Sequence, residues 1–212
     1  MANSKYTPLF DNKNIEIKSV ERVFNGFFKI NKFTFRHSLF KGGQSNWIER
    51  EIFERGDAVG VLPYDPFLQK VVLIEQVRIG AQASKDTPWL LEVIAGMVDK
   101  EHEDLEDVAK RESLEEANLH IDTLTPMLSY LSSPGGTSER LYLYLGVINS
   151  ENVGGVHGLD DENEDIKVHV MDVEHAFELL DSGVIDNAAT VISLQWLKLN
   201  KDKIDSNASV TE

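Results

Sequence analysis

The chain has 212 residues, of which 42% are hydrophobic and 27% charged, a size and composition suited to one ordinary domain, or one plus a small appendage. Its 36 acidic and 21 basic residues give a formal net charge of −15, which argues against a nucleic-acid partner; a phosphorylated ligand would need local arginines or cations. Cysteine is absent, which excludes disulfides, thiol catalysis and zinc–thiolate sites. The first residues lack a secretory apolar segment and no apolar run reaches the roughly 18 residues of a membrane helix, so the expectation is a soluble cytoplasmic protein without a membrane partner.

Residues 1–12 read as frayed. Period-two alternation in Ile15–Val20, Phe27–Ile30 and Phe33–His37 predicts short antiparallel strands with one wet face. So few strands are marginal alone, and residues 1–55 read as a small N-terminal β module that needs a partner surface, such as a second copy of the chain. From Asp57 the texture changes. Ala58–Leu62 and Val71–Ile74 are continuous apolar runs, the pattern of strands buried on both faces. Trp89–Ile94 predicts a further strand that Ala95-Gly96 ends. Leu105–Ala117 reads as a helix, and Met127–Leu131 and Leu141–Leu145 read as strands around a Ser-Pro-Gly-Gly turn. Glu151–Asp165 is a long polar loop. Ile166–Val170 resumes a strand, and Val173–Leu180 and Ala188–Leu199 read as helices. Residues 56–212 thus form a second domain of mixed α/β or α+β class.

The helix Leu105–Ala117 places acids on an unexpected face. At about 100° per residue, with Leu105 at zero, Val108, Ala109 and Leu119 define an apolar stripe, and Glu112 and Glu116 fall inside it, with Glu115 beside it. A solvated charged face is one reading. Against it, a buried carboxylate without a partner is costly, and the last turn of a helix disfavours negative charge. A divalent cation would relieve both penalties, and hard oxygen donors at i, i+3 and i+4 suit Mg²⁺ or Mn²⁺. Residue chemistry alone leaves both readings open. No serine-hydrolase elbow or P-loop is present, and the six histidines show no ligand spacing.

This stretch resembles the signature of the Nudix hydrolases, G-x5-E-x7-R-E-U-x-E-E-x-G-U, where U is a bulky apolar residue. Gly96, Glu103, Arg111-Glu112, Glu115-Glu116 and Leu119 match it. Three departures stand out: one extra residue between Gly96 and Glu103, Ser113 at an apolar position, and Asn118 in place of the final Gly. Arg50–Gly56, Trp89–Gly96, Ser133–Arg140 and Asp161–Asp165 are similar to the bacterial ADP-ribose pyrophosphatase branch of the family.

The resemblance covers most of the chain. It implies the Nudix α/β/α sandwich with a mixed sheet, plus the N-terminal antiparallel β module, exchanged within a homodimer. It implies Mg²⁺-dependent hydrolysis of ADP-ribose to AMP and ribose 5-phosphate, with Mn²⁺ as a possible substitute and two or more ions. Metal ligation falls to Glu112, Glu115, Glu116, Glu164 and the Ala95 carbonyl, and Glu162 is the catalytic base. Arg111 supports, by orienting a Glu. Substrate contacts fall to Phe27, Phe28, Arg50, Glu51, Arg55, Arg78, the Met97 amide, Ser133, Gly135 and Glu139, with the two phenylalanines sandwiching adenine. Two alternatives stay open: hydrolysis of another nucleoside diphosphate sugar, and a module that senses ADP-ribose without cleaving it.

Overall fold

The computed structural model of the chain describes residues 6–98, 103–159 and 163–208. It divides into two compact units. One ends at Arg55 and takes in Ser133–Glu139; the other comprises Gly56–Ser132 and the chain from Arg140 onward.

The first unit is a three-stranded antiparallel sheet in the order β1 (Ile15–Asn25), β2 (Lys29–His37), β3 (Ile48–Glu54). Two register shifts interrupt β1 against β2, between Ile17 and Ser19 and between Arg22 and Phe24. Ser133–Glu139 is stitched to the end of β3. Phe53 donates its amide to the Gly136 carbonyl at 2.8 Å, and the Thr137 hydroxyl donates to the Phe53 carbonyl at 2.9 Å. Ile15, Ile17, Val20, Val23 and Phe24 of β1 are exposed, which leaves this strand's apolar side chains without cover in the single chain.

The second unit is built on β4 (Ala58–Asp65), β5 (Lys70–Val77), β6 (Trp89–Glu92), β7 (Ile94–Met97), β8 (Leu124–Leu131), β9 (Arg140–Val147), β10 (Gly155–His157) and β11 (Ile166–Asp172). The sheet runs β10-β11-β5-β4-β9-β8, with β6 added to β5 and β7 to β4. The β4–β9 pair is parallel and the other pairs are antiparallel, so the sheet is mixed.

Alternation along the central strands feeds two cores. Val59, Val61, Val72 and Ile74 pack with Val108 and Ala109 of α1 (Leu105–Ala117). Leu62, Tyr64, Val71 and Leu73 pack with Ala176 and Phe177 of α2 (Val173–Asp181) and with Leu194 and Leu197 of α3 (Ala188–Ala208). Every residue of β4 is buried, as the apolar run Ala58–Leu62 predicted for its first five residues; the strand continues in the same state through Asp65. The result is the expected α/β/α sandwich with a mixed sheet. Among the described residues no helix is long and apolar enough to cross a membrane.

Several elements differ from the sequence expectation. Phe27–Ile30 and Phe33–His37 are not two strands: Lys29–His37 is one, β2, because Asn31 and Lys32 pair with Ile52 and Glu51 of β3, itself a strand the alternation did not single out. The Trp89–Ile94 strand is two strands that change partner at Val93. Glu92 pairs with Ile74 on β5, whereas Ile94 pairs with Val61 on β4. Ala95 and Gly96 therefore lie inside β7 and do not end a strand. The polar loop after Glu151 contains β10, whose three residues pair with β11. Finally, α3 continues nine residues past Leu199, because Asp205 on its last turns accepts from the buried Tyr64 hydroxyl and from Lys201, both at 2.8 Å.

Candidate active site

The acids of α1 lie where the helical projection put them. Asp104 caps the helix by accepting the Glu106 amide at 2.8 Å, and Asn118 ends it in the left-handed conformation at φ 50°. That conformation is the one Gly would supply, so Asn118 serves the same end. Ser113 is buried, with its hydroxyl donating to the Ala109 carbonyl at 2.7 Å, which satisfies a polar group at an apolar position.

Glu116 is only 3% exposed. Its Oε2 accepts the Ala95 amide at 3.0 Å, and its Oε1 faces Gln76 Nε2 at 3.5 Å. Burial pushes its carboxyl up to about 8, against the pull of the Ala95 amide and with a further push from the Glu112 charge. Burial likewise raises Glu112 to about 7, although Arg111 opposes it. Glu164 repels the ionised form of both acids. Its own Oε2 accepts the Leu159 amide at 3.2 Å, and its amide donates to the Leu159 carbonyl, so two hydrogen bonds hold it to Leu159.

The register of β7 aims backbone at this cluster. Val59–Gly96 and Val61–Ile94 are registered pairs, and the Val98 amide donates to the Asp57 carbonyl. Alternate pairs of an antiparallel ladder exchange hydrogen bonds, so Ala95 and Met97 turn their amides and carbonyls away from β4. The Ala95 amide confirms the direction by donating to Glu116. The Ala95 carbonyl thus points away from β4 because of its place in the ladder and not because the strand ends there. At Gly96 the strand lies close against the Glu112 side chain of the helix. A Cβ at this position would fall 1.9 Å from the Glu112 carboxyl carbon.

Arg111 is an ion-pair hub. Its Nη1 donates to Glu112 at 2.7 Å and to Glu115 at 3.1 Å, and its Nε lies 3.6 Å from Glu103. Glu103 reaches Arg111 in spite of the extra residue before it, so that insertion leaves the hub intact. In this arrangement Arg111 holds Glu112 and Glu115. Among the described residues no three His, Asp or Glu side chains already converge as a ligand shell. The donor set is nonetheless all oxygen, two of its carboxyls are held in a site that disfavours their charge, and a third repels them. That is the electrostatic situation a hard divalent cation relieves.

The remaining predicted residues fall into two groups. Arg78 follows β5 and pairs with Glu92, Nε to Oε2, at 2.8 Å. In the first unit, Arg55 reaches Glu139 at 3.1 Å and lies over the Phe28 ring at 5.6 Å, and Glu139 is only 7% exposed. Phe28 packs edge-on against Phe53 at 4.9 Å. Phe27 meets Phe28 at 4.8 Å with planes 77° apart, so within one chain the two rings touch and enclose no slot for a flat base. Ser133 and Gly135 lie in the turn in which the Ser133 carbonyl accepts the Gly136 and Thr137 amides. Arg50 and Glu51 are exposed neighbours on β3 and so project from opposite faces; only Glu51 shares a face with Phe53. Glu162 lies outside the described residues.

Sequence reasoning missed Gln76 and Glu92. Gln76 follows Glu75 after the apolar run Val71–Ile74, and Glu92 interrupts the apolar run Trp89–Ile94. That interruption was the available signal.

A mixed sheet between helices, with a buried acidic face on the helix after β7, defines a class of fold and site that comparison with known proteins names. The NUDIX domain matches residues 54–193, and the chain belongs to that family. It is 51% identical over 191 residues to a protein of Escherichia coli (strain K12) named ADP-ribose pyrophosphatase, covering 90% of this chain and 91% of that one. A Haemophilus influenzae protein of the same name is 49% identical over 194 residues, covering 90% and 89%. A crystal structure titled as an ADP compounds hydrolase superposes with a TM-score of 0.63 at 20% identity, covering 87% of this chain and 95% of that one, a likeness of fold.

Proposed function

We propose that the chain is an ADP-ribose pyrophosphatase, which cleaves the diphosphate of ADP-ribose to give AMP and ribose 5-phosphate. The observation that carries this reading is the half-identity, along nine-tenths of the chain, with relatives bearing that name. The buried acids of α1 support it by supplying the chemistry that the substrate needs.

Glu112, Glu115, Glu116 and Glu164, with the Ala95 carbonyl, would hold Mg²⁺, with Mn²⁺ as a substitute and two or more ions in all. Bound there, the ions supply neutralisation of the diphosphate and acidify an attacking water. Arg111 keeps Glu112 and Glu115 on one side of the helix. Glu162 takes the proton from the water. Arg78 and the Met97 amide bind phosphate oxygens, the first as a charged fork and the second from the free edge of β7. Phe27, Phe28, Arg50, Glu51, Arg55, Ser133, Gly135 and Glu139 contact the nucleoside and terminal ribose. These contacts are contributed within a homodimer in which residues 1–55 are exchanged; the exposed apolar residues of β1 support such a partner. The protein works in the cytoplasm, in keeping with its lack of cysteine.

The test is a product assay with purified protein, ADP-ribose and Mg²⁺, run beside a panel of other nucleoside diphosphate sugars. AMP and ribose 5-phosphate should form, with ADP-ribose among the best substrates, and EDTA should stop the reaction. Preference for another sugar nucleotide overturns the substrate, and binding without turnover overturns the enzyme. In the same assay Glu162→Gln should lower kcat by about 10²–10⁴-fold with KM little changed, the signature of a lost base. Near-normal kcat in that variant would place the base elsewhere.

A further inference from the structure

Glu92 is the lone acid in the run Trp89–Ile94, and the proposed reaction gives it no task. Its carboxylate meets Arg78 at 2.8 Å, with Glu92 14% exposed and Arg78 44%. A carboxylate this enclosed is costly without a counter-charge, so the contact is a constraint on both side chains. The atom used matters. Glu92 takes the Nε edge of the guanidinium, which leaves the two terminal nitrogens to other acceptors. Arg78 also stabilises the ionised form of Glu116, so its charge is felt within the acidic cluster.

The backbone under Glu92 is fixed from the far side of the sheet. Where the strand changes partner, the Val93 amide has no place in a ladder and donates to the Thr190 hydroxyl at 2.9 Å. The Leu91 carbonyl accepts from Asn187 at 2.7 Å. Thr190 is buried in the first turn of α3, and Asn187 immediately precedes that helix. These two bonds flank Glu92 on either side. The Arg78 amide donates to the Pro88 carbonyl at 2.8 Å, which ties its own backbone to the start of the same segment.

We propose that Glu92 is a positioning residue, which grips the Nε edge of Arg78 and thereby aims its terminal nitrogens at an oxygen of the substrate diphosphate. The proposal rests on the reading of Arg78 as a substrate contact. The segment that passes from β6 into β7 thus serves the site twice, presenting Glu92 to Arg78 and, three residues on, the Ala95 amide to Glu116.

Steady-state kinetics on full-length Glu92→Ala, Glu92→Gln, Arg78→Ala and the Glu92→Ala/Arg78→Ala double variant test it, with ADP-ribose at saturating Mg²⁺. Glu92→Ala should raise KM about tenfold and change kcat less than about threefold. The isosteric Glu92→Gln should fold whether or not Glu92→Ala does, and should raise KM less, because its amide oxygen still accepts from Nε. The double variant should be no worse than Arg78→Ala, since a group that acts through Arg78 has nothing left to act on. Additive losses in the double variant, or an unchanged KM in both Glu92 variants while Arg78→Ala raises it, would overturn the proposal. An unchanged KM in Arg78→Ala itself would instead remove the substrate role of Arg78, and the proposal with it.

Discussion

Glu116→Gln should abolish most turnover and at the same time make the metal-free protein more stable at pH 8. Glu116 is almost wholly enclosed, and burial raises its carboxyl from the ordinary 4.5 to about 8. The ionised form is therefore disfavoured in the folded state by a margin on the order of a few kcal/mol. Gln keeps the acceptor for the Ala95 amide and removes the charge, so the metal-free fold gains. Turnover loses a ligand placed where charge must gather, at a cost of about 10²–10³-fold in kcat.

The sign of the pH dependence follows from the same shift. Glu112 and Glu116 hold protons in the folded chain that the unfolded chain has already released above about pH 4.5. Their contribution to stability is complete below that value and is lost as pH rises through about 7 and 8. Without metal, thermal unfolding should therefore occur at a higher temperature at pH 5 than at pH 8.5. In Glu112→Gln/Glu116→Gln the slope across that window should flatten. A wild-type protein whose metal-free stability rises across the window would contradict the placement of both acids.

Gly96→Ala should be nearly as damaging to activity while leaving the stability of the fold close to its original value. The added methyl would lie 1.9 Å from the Glu112 carboxyl carbon and 2.0 Å from its Oε1. Both belong to the end of a flexible side chain, which can swing away without unpacking β7 or α1. The backbone of Gly96 does not occupy the left-handed region among the described glycines, so Ala adds no conformational strain. The displaced carboxylate, however, can no longer sit beside Glu116. A misplacement of an ångström or more at a reacting centre costs about 10²-fold in rate. Kinetics and thermal unfolding on one preparation separate the effects: kcat should fall by about that factor while the melting temperature moves by only a few degrees. Unimpaired kcat would show that Glu112 need not approach β7.

The helix that carries the acids was legible in the sequence to its last residue. Its signals are local: a 3.6-residue stripe, and Asn118 after the last turn. The inward projection of Glu112 and Glu116 came from the same arithmetic. What was not legible depends on partners far along the chain. The break at Val93 arises because β6 and β7 join different strands, and Thr190, which accepts the stranded amide, is 97 residues away. The Arg78–Glu92 pair spans 14 residues and two strands, and no periodicity reports it. The extension of α3 past Leu199 depends on Tyr64, which is 141 residues from Asp205. The edge-on meeting of Phe27 and Phe28 was hidden for a different reason, since sequence gives two adjacent rings but not the angle between them.

The central claim is that the inward carboxylates of α1 gather a divalent cation. Calorimetric titration of Mg²⁺ into the metal-free protein at pH 7, in two buffers of different ionisation heat, tests it most directly. Wild-type protein should bind and release protons, because acids with values near 7 and 8 must ionise to ligate, and Glu112→Gln/Glu116→Gln should lose both the binding and the release. Equal Mg²⁺ binding by the double variant, with no protons released by either protein, would contradict the account.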